Sequence, residues 1–376
     1  MSKPIYLDYN ATTPLDLEVQ KAIISCLEVN FGNPSSAHYY GTEAKKTLES
    51  ARSRIAALIN CKPSEIVFTS GGTESNNYAI AGFALANRDK GNHIITSRIE
   101  HPAVTEVCRH LSKNGFEISY LPVDKTGRLD PDSVAEAITD RTVLITIMHA
   151  NNEVGTIQPI SEISKIAARN NIVFHTDAAQ SLGKIEVDVN RLGVDMLSIA
   201  GHKLYASKGI GALYVKQGIG LFRILQGGGQ EKGVRPGTEN IPGIAGLGKA
   251  CELAGLNLKK NQLHFAAMRD RLEEGLMLLF SDLTITGNLF YRLPNTLNVC
   301  FSNVDESFQI KLFARVAASA GSACHSDATN ISPVLEAMNI PVKLARGAIR
   351  FSTGKYTTEA EIDETLAIIE KILGKN

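Results

Sequence analysis

Short runs of β-branched and aliphatic residues alternate with amphipathic stretches as far as about residue 250. The predicted strands are Ile66–Ser70, His93–Ser97, Ile118–Pro122, Thr142–His149, Ile172–Thr176, Met196–Ala200 and Gly211–Val215. Helical periodicity between them is clearest in Glu74–Ala86, Pro102–Lys113 and Ser161–Asn170. Strands that are apolar throughout are typically buried on both faces, and most of the connections are too long for hairpins. The pattern predicts an α/β domain with a mainly parallel, seven-stranded sheet covered by helices.

The pattern changes after about residue 250. A long helix is predicted over Leu258–Phe280, and strands follow at Thr284–Gly287, Thr296–Phe301 and Ala348–Thr353. This mixture is typical of a smaller α+β domain. We therefore predict a large domain over residues 16–255 and a small domain formed by residues 1–15 and 256–376.

The amino-acid composition limits the kinds of binding partner that the protein is expected to have. The 376 residues include 39 Lys plus Arg and 39 Asp plus Glu, so the formal net charge is zero and no nucleic-acid or membrane partner is expected. No apolar run reaches the roughly 18 residues that span a bilayer, and the N-terminus resembles no targeting peptide, which favours a cytoplasmic location. The six cysteines are scattered without a CxxC pair, so we predict neither a metal site nor a disulfide framework.

Candidate chemistry lies where predicted strands end. The segment SGGTESNN, residues 70–77, follows a strand and opens a helix, so Gly72 and Thr73 suit a phosphate at the helix N-terminus, although a plain helix cap has the same pattern. Asp177 ends another apolar strand, where a carboxylate either pairs with a buried cation or caps the next turn.

Lys203 follows the next strand, in the segment AGHKLY. Most lysines in loops are solvated, but a partly desolvated lysine can lose its proton and attack a carbonyl. A strand-end aspartate followed by a strand-end lysine is what a pyridoxal site requires. The aspartate keeps the ring nitrogen protonated, and the lysine holds the aldehyde.

Four further residues are candidates, each with a simpler interpretation. His101 opens a helix and could stack on a planar ring or lie at the surface. Asn152 could donate to a ligand or form a turn. Arg350 lies in an apolar strand, so it needs a carboxylate partner, either structural or in a substrate. Cys324 lies in the Gly, Ser and Ala-rich segment SAGSACHSD, where a thiol is either a nucleophile or carrier or incidentally exposed.

Together the segments resemble the NifS-like cysteine desulfurases, which are fold type I, class V aminotransferase-like pyridoxal-phosphate enzymes. The resemblance runs in family order from residue 6 to about residue 363. The segments that carry it are YLDYNATTP, GGTESNN, EHPAV, HANNEVGTIQP, HTDAAQSLGK, GHKLYASKGIGALYV, RPGTEN, GSACHSD and IRFSTGKYTTEAEID.

The resemblance implies a pyridoxal 5′-phosphate site. Lys203 is expected to hold the cofactor covalently, His101 to stack on its ring, and Asp177 to pair with the ring nitrogen. Gln180 is expected to bond the ring hydroxyl. The phosphate-binding residues implied are Gly72, Thr73, His202 and, from the neighbouring subunit of a homodimer, Thr238.

The resemblance also implies the reaction. Asn152 and Arg350 are expected to bind the carboxylate of L-cysteine, and Cys324 on a mobile loop to accept its sulfur. The products are then L-alanine and a persulfide that passes to an acceptor protein, for example in iron–sulfur cluster assembly.

Two departures keep an alternative open. Desulfurases commonly have Ser where Ala200 stands, and His325 stands where many have Thr. These features, with RPGTEN, ACHSD and SPVL, are closer to selenocysteine lyases, which release selenium from L-selenocysteine. An aminotransferase and a non-catalytic scaffold are less favoured, the scaffold because Lys203, Asp177 and Cys324 are retained.

Overall fold

The computed structural model describes residues 3–302, 304, 306–320 and 331–374. The predicted sulfur acceptor Cys324 lies outside the described residues. The strands are β1 Ile5–Tyr6, β2 Ile66–Thr69, β3 His93–Ser97, β4 Glu117–Leu121, β5 Thr142–Thr146, β6 Val173–Asp177, β7 Met196–Ala200, β8 Gly211–Val215, β9 Leu283–Thr286, β10 Thr296–Phe301, β11 Val316–Ala317, β12 Ser319–Ala320 and β13 Ala348–Ser352.

The helices lie mainly between these strands. They are α1 Leu17–Glu28, α2 Tyr39–Ile59, α3 Gly72–Asn77, α4 Phe83–Ala86, α5 Pro102–Lys113, α6 Pro131–Ala137, α7 Ile160–Arg169, α8 Val189–Leu192, α9 Ile241–Leu279, α10 Glu306–Phe313, α11 Pro333–Ala337, α12 Val342–Ala345 and α13 Glu359–Leu373. A π-helical turn, Tyr78–Gly82, joins α3 to α4. No helix in the described part of the chain is long and apolar enough to cross a membrane.

The large sheet has seven strands in the order β2-β8-β7-β6-β5-β3-β4. All neighbours pair in parallel except β8, which is antiparallel to both β7 and β2. The prediction of a mainly parallel, seven-stranded sheet is thus confirmed. Because β5, β6 and β7 run side by side in one direction, the loops after them meet at one edge of the sheet.

Helices cover this sheet on both faces. Adjacent residues of one strand point to opposite faces, so Leu144 joins the core under α5, whereas Ile145 joins the core under α2, α7 and α9. Both residues are fully buried. This two-sided burial explains why the central strands are apolar throughout rather than alternating.

The second unit is an antiparallel sheet in the order β12-β13-β10-β9. Its core joins strand residues such as Val299 and Phe351 to Leu272 of α9 and Ile362 of α13. The N-terminal strand β1 pairs in parallel with β11, so the start of the chain lies beside this unit. The domain boundaries stay predictions.

Helix α9 begins well before the predicted Leu258, at Ile241. Its first half is rich in Gly and Ala and buried almost all round, which conceals the amphipathic periodicity that a surface helix shows. It therefore runs without a break across the predicted boundary at residue 255.

Candidate active site

A cavity of about 470 Å³ lies at the carboxyl edge of β5, β6 and β7. It brings together nearly all of the sequence-predicted site residues. Those that line it are Gly72, Thr73, His101, Asn152, Asp177, Gln180, His202, Lys203 and Arg350. Residues from the N-terminal segment, both sheets and four loops thus converge on one space.

Lys203 lies in a tight 3₁₀ turn, Gly201–Lys203, directly after β7. Its Nζ donates to the backbone carbonyl oxygens of Asn10 and, at 2.7 Å, of Ala11. Burial, together with the positive charge of Arg350, lowers the pKa of Lys203 from 10.5 to about 8. A sizeable fraction of this amine is therefore neutral, and nucleophilic, near physiological pH.

Asp177 is the last residue of β6 and is buried. Its Oδ2 accepts from Asn76 Nδ2 at 2.7 Å, and its Oδ1 accepts from the backbone N–H of Ala179 at 2.9 Å. These two donors fix the orientation of the carboxylate. The sequence interpretation missed Asn76, because only the fold shows that this residue of the GGTESNN segment is fully buried.

His101 is the N-cap of α5, and its Nδ1 accepts from the backbone N–H of Ala103 at 3.0 Å. Because Nδ1 accepts, the proton of the neutral ring belongs on Nε2. Burial lowers the pKa of His101, with Asp177 acting in the opposite direction. His101 lies at the mouth of the cavity, and its neutral ring carries the proton on Nε2.

The segment before α3 forms an open, glycine-lined corner. Gly71 has φ +152°, and a Cβ placed there would meet no atom within 4 Å. Ala200 closes the other side, 3.2 Å from where a Cβ on Gly72 would lie. His202 is also here, with Nδ1 3.2 Å from Thr12 Oγ1, and burial lowers its pKa to about 4. The corner thus offers backbone N–H groups and Thr73, but no hydroxyl at position 200.

Arg350 lies on β13 and already has a carboxylate partner. Its Nη2 donates to Asp8 Oδ1 at 2.8 Å and to Ser319 Oγ at 2.7 Å, and its Nη1 donates to the carbonyl oxygen of Asn152 at 2.9 Å. Its Nε is buried and has no partner among the described residues. The structural alternative that the sequence left open is therefore met by Asp8.

Asn10 is a residue that the sequence interpretation missed. It is 1% exposed, and its carbonyl oxygen accepts from Lys203 Nζ and, at 2.9 Å, from Gln180 Nε2. Its side-chain Oδ1 accepts from Lys184 Nζ at 2.7 Å, and its Nδ2 donates to Thr296 Oγ1 at 2.8 Å. It lies in the YNATTP segment, which showed no helical or strand pattern to place it.

Thr238 does not reach the main cavity within one chain. It lines a separate cavity of about 200 Å³ together with Ser70 and Arg235. The segment that carries it is tied to α3, because Arg235 Nε donates to Glu74 Oε1 at 2.8 Å. Among the described residues, no group of three or more His, Cys, Asp or Glu side chains is arranged to hold a metal.

Residues 5–365 match the family model described as aminotransferase class-V. The chain is 50% identical to a cysteine desulfurase IscS of Dictyoglomus turgidum, covering 100% of this chain and 96% of that protein. It is 46% identical to a cysteine desulfurase IscS of Methanosarcina thermophila, covering 100% and 93%.

Solved structures agree with this assignment. A NifS-like protein superposes with a TM-score of 0.93 at 39% identity, covering 99% of each chain. A structure titled as SspA in complex with cysteine superposes with a TM-score of 0.83, also at 39% identity, covering 94% of this chain and 100% of that one.

Proposed function

This chain belongs to the aminotransferase class-V family, and from that premise we propose that it is a cysteine desulfurase that removes sulfur from L-cysteine with pyridoxal 5′-phosphate. The observation that carries the proposal is the convergence of Lys203, Asp177 and the N-terminus of α3 on one cavity. Full-length similarity to proteins named cysteine desulfurase supports the choice of reaction.

The polar groups that line the cavity fit this cofactor. The cavity holds an amine for the aldehyde (Lys203), an ionised carboxylate for the ring nitrogen (Asp177), and a helix N-terminus for the phosphate. Asn76 Oδ1 and Arg350 Nε, both buried, lack partners among the described residues, which indicates that the cavity is built for a polar occupant. When bound, the cofactor supplies an electron sink that withdraws electron density from the substrate's α-carbon.

The residues of the chain bind, orient and exchange protons around that group. Lys203, with its pKa lowered to about 8, presents a neutral amine to the aldehyde and can later take up or release a proton in the cavity. Asp177, held in orientation by Asn76, would pair with the ring nitrogen. His101 would lie against the ring and can donate a proton from Nε2, because its Nδ1 accepts from the backbone N–H of Ala103.

Two residues bind the carboxylate of the substrate in this proposal. Arg350 supplies positive charge and the unpaired Nε, and Asn152 lines the same wall of the cavity. Asp8 and Ser319 hold the guanidinium in place from the far side, so little side-chain entropy is lost when the substrate binds.

Cys324 is the proposed sulfur acceptor, on the strength of the GSACHSD segment. The C–S bond of the substrate breaks as its sulfur bonds to the Cys324 thiolate, so L-cysteine and one thiol give L-alanine and one persulfide. An acceptor protein then takes the sulfur. All atoms are accounted for, and no external oxidant or reductant is needed.

We also propose that the working enzyme is a homodimer. Thr238 lies in a different cavity from Thr73 and His202 within one chain, so a contact with the phosphate requires a second copy. Dilution is then expected to release the cofactor together with the subunits, measured by light scattering and absorbance. A cofactor-loaded, active monomer would refute this arrangement.

The decisive experiment compares wild type, Cys324→Ser and Cys61→Ser on L-cysteine, measuring alanine release and, by mass spectrometry, the mass of the Cys324 peptide. Cys61 is the matched control because it is partly exposed, whereas the other cysteines in the described part of the chain are buried. We expect cysteine turnover to be lost only in Cys324→Ser. Undiminished turnover by that variant would end the persulfide proposal.

A selenocysteine lyase is the second candidate, and the specific observation for it is Ala200 at the phosphate corner. Assays of wild type and Cys324→Ser on L-selenocysteine distinguish a selenocysteine lyase from a cysteine desulfurase. Wild-type turnover of selenocysteine alone assigns the chain to the lyases, and turnover of cysteine assigns it to the desulfurases. Because selenols ionise at neutral pH, selenocysteine turnover is expected to survive partly in Cys324→Ser.

A further inference from the structure

Lys184 is a buried lysine that the proposed mechanism does not use. The residue is 5% exposed and lies at the end of the turn that follows β6, behind the wall of the main cavity. Burial and the positive charges of Lys203 and Arg350 lower its pKa well below the ordinary value. Its hydrogen-bond partners among the described residues are amide oxygens and not carboxylates, so its burial needs another explanation.

The contacts of Lys184 are two amide oxygens. Its Nζ donates to Gln180 Oε1 at 2.8 Å and to Asn10 Oδ1 at 2.7 Å. A lysine nitrogen carries at least two hydrogens whether it is protonated or neutral, so both bonds form in either state. Gln180 Oε1 is therefore bonded to Lys184 in either state, whereas Asn10 Oδ1 also accepts from Asn295 Nδ2 at 2.9 Å.

The orientation of the Gln180 carboxamide is fixed at both ends, because Oε1 accepts from Lys184 and Nε2 donates to the carbonyl oxygen of Asn10. With Oε1 bonded to Lys184, the NH₂ group of Gln180 is the end left toward the pocket. One of its N–H bonds donates to the carbonyl oxygen of Asn10 at 2.9 Å, and the other has no partner among the described residues. Gln180 can thus act toward a ligand as a donor and not as an acceptor.

We propose that Lys184 is a positioning residue that locks the Gln180 carboxamide with Nε2 toward the cavity, so that Gln180 donates to the ring oxygen of pyridoxal 5′-phosphate. The inference rests on the proposed function, since it concerns that cofactor. An N–H donor favours the ionised form of the ring oxygen, whereas a flipped amide would present Oε1 and favour the protonated form.

Lys184→Met tests this, because methionine has nearly the same length but cannot donate. The variant is expected to weaken cofactor affinity about tenfold and to raise, by about one unit, the pH at which the absorbance of the bound cofactor changes. The other titratable groups that line the cavity, His101, Asp177, His202, Lys203 and Arg350, are unaltered. Lys216→Met, an exposed lysine remote from the cavity, is the matched control and should leave both values unchanged.

A double-mutant cycle separates positioning from bulk stability. If Lys184 acts through Gln180, Lys184→Met has little effect on cofactor affinity in a Gln180→Ala background. The same loss in both backgrounds, or a lower melting temperature of the cofactor-free protein with an unchanged absorbance profile, would show a merely structural role and overturn the proposal. Should Lys184→Met not fold, Lys184→Leu, which likewise cannot donate, carries the same cycle and the same criteria.

These experiments distinguish failure of the positioning role of Lys184 from failure of the proposed cysteine desulfurase function. If wild type binds no pyridoxal 5′-phosphate, the proposed function fails. If wild type binds it and Lys184→Met binds it equally well with the same absorbance profile, only the positioning role fails.

Discussion

Glu231 provides a test of the energetics that hold the Thr238 segment in place. Its carboxylate pairs with Arg52 through two bonds, Nη1 to Oε2 at 2.9 Å and Nη2 to Oε1 at 2.8 Å. It also accepts from the backbone N–H of Phe68 at 2.9 Å. The two charged side chains are only 6% and 3% exposed. Replacing Glu231 by Ala therefore leaves a guanidinium buried without its main counter-charge.

Breaking a buried ion pair from one side typically costs about 3–5 kcal/mol, because the remaining charge stays desolvated. The strained backbone at Glu231 and Lys232, with φ of +45° and +56°, shows that these contacts hold the segment against its local preference. We expect Glu231→Ala to lower the free energy of unfolding of the protein by about 3–5 kcal/mol. Urea unfolding followed by circular dichroism measures this.

The chain offers a matched control on the same arginine. Glu49 also pairs with Arg52, at 3.2 Å, but its side chain is 53% exposed. Glu49→Ala should cost at most about 1 kcal/mol, since exposed pairs are screened by solvent. The double variant Arg52→Met with Glu231→Leu should regain most of the lost stability. Equal effects of Glu231→Ala and Glu49→Ala would refute the argument from burial.

Three further predictions concern the cavity. Ala200→Ser adds a hydroxyl beside Gly72. We expect it to tighten cofactor binding about fivefold, the contribution of one hydrogen bond, as measured by fluorescence titration. Weaker binding would contradict the conclusion that this corner has room for a phosphate and a hydroxyl. The pKa of Lys203 is lowered to about 8. The rate at which cofactor-free protein binds the cofactor should therefore rise with pH and level off above about pH 8. A rate that still rises at pH 10 would show that Lys203 has an ordinary lysine pKa. Asp177→Asn should still bind the cofactor but lose at least about 10³-fold in turnover. Asn76→Ala should lose only about tenfold, because Asn76 orients the Asp177 carboxylate and its removal leaves that carboxylate in place. Equal losses in the two variants would contradict this division of roles.

The alternation of apolar strands with amphipathic helices was sufficient to predict the large sheet and the edge at which the site lies. This prediction is possible because a parallel strand covered by helices is apolar on both faces. Such a run can be recognised in the sequence without knowing which strands pair with it. The strand-end positions of Asp177 and Lys203 then follow from chain order alone. The roles assigned to Gln180 and Thr238 came from resemblance to a family, as did the choice of sulfur as the atom that Cys324 accepts, whereas the composition of its segment had already marked Cys324 as a candidate nucleophile.

Other features were decided only by the tertiary structure. Helix α9 was placed too late because its buried, Gly-rich first half has no polar face, and the short pair β1–β11 joins segments more than 300 residues apart. Asn10 and Lys184 carry no local signal, since their importance lies in hydrogen bonds to residues brought close only by folding. A sequence records which side chains point inward through local periodicity, but which polar groups meet there depends on long-range packing, and so the hydrogen-bond network of the site could not be read from it.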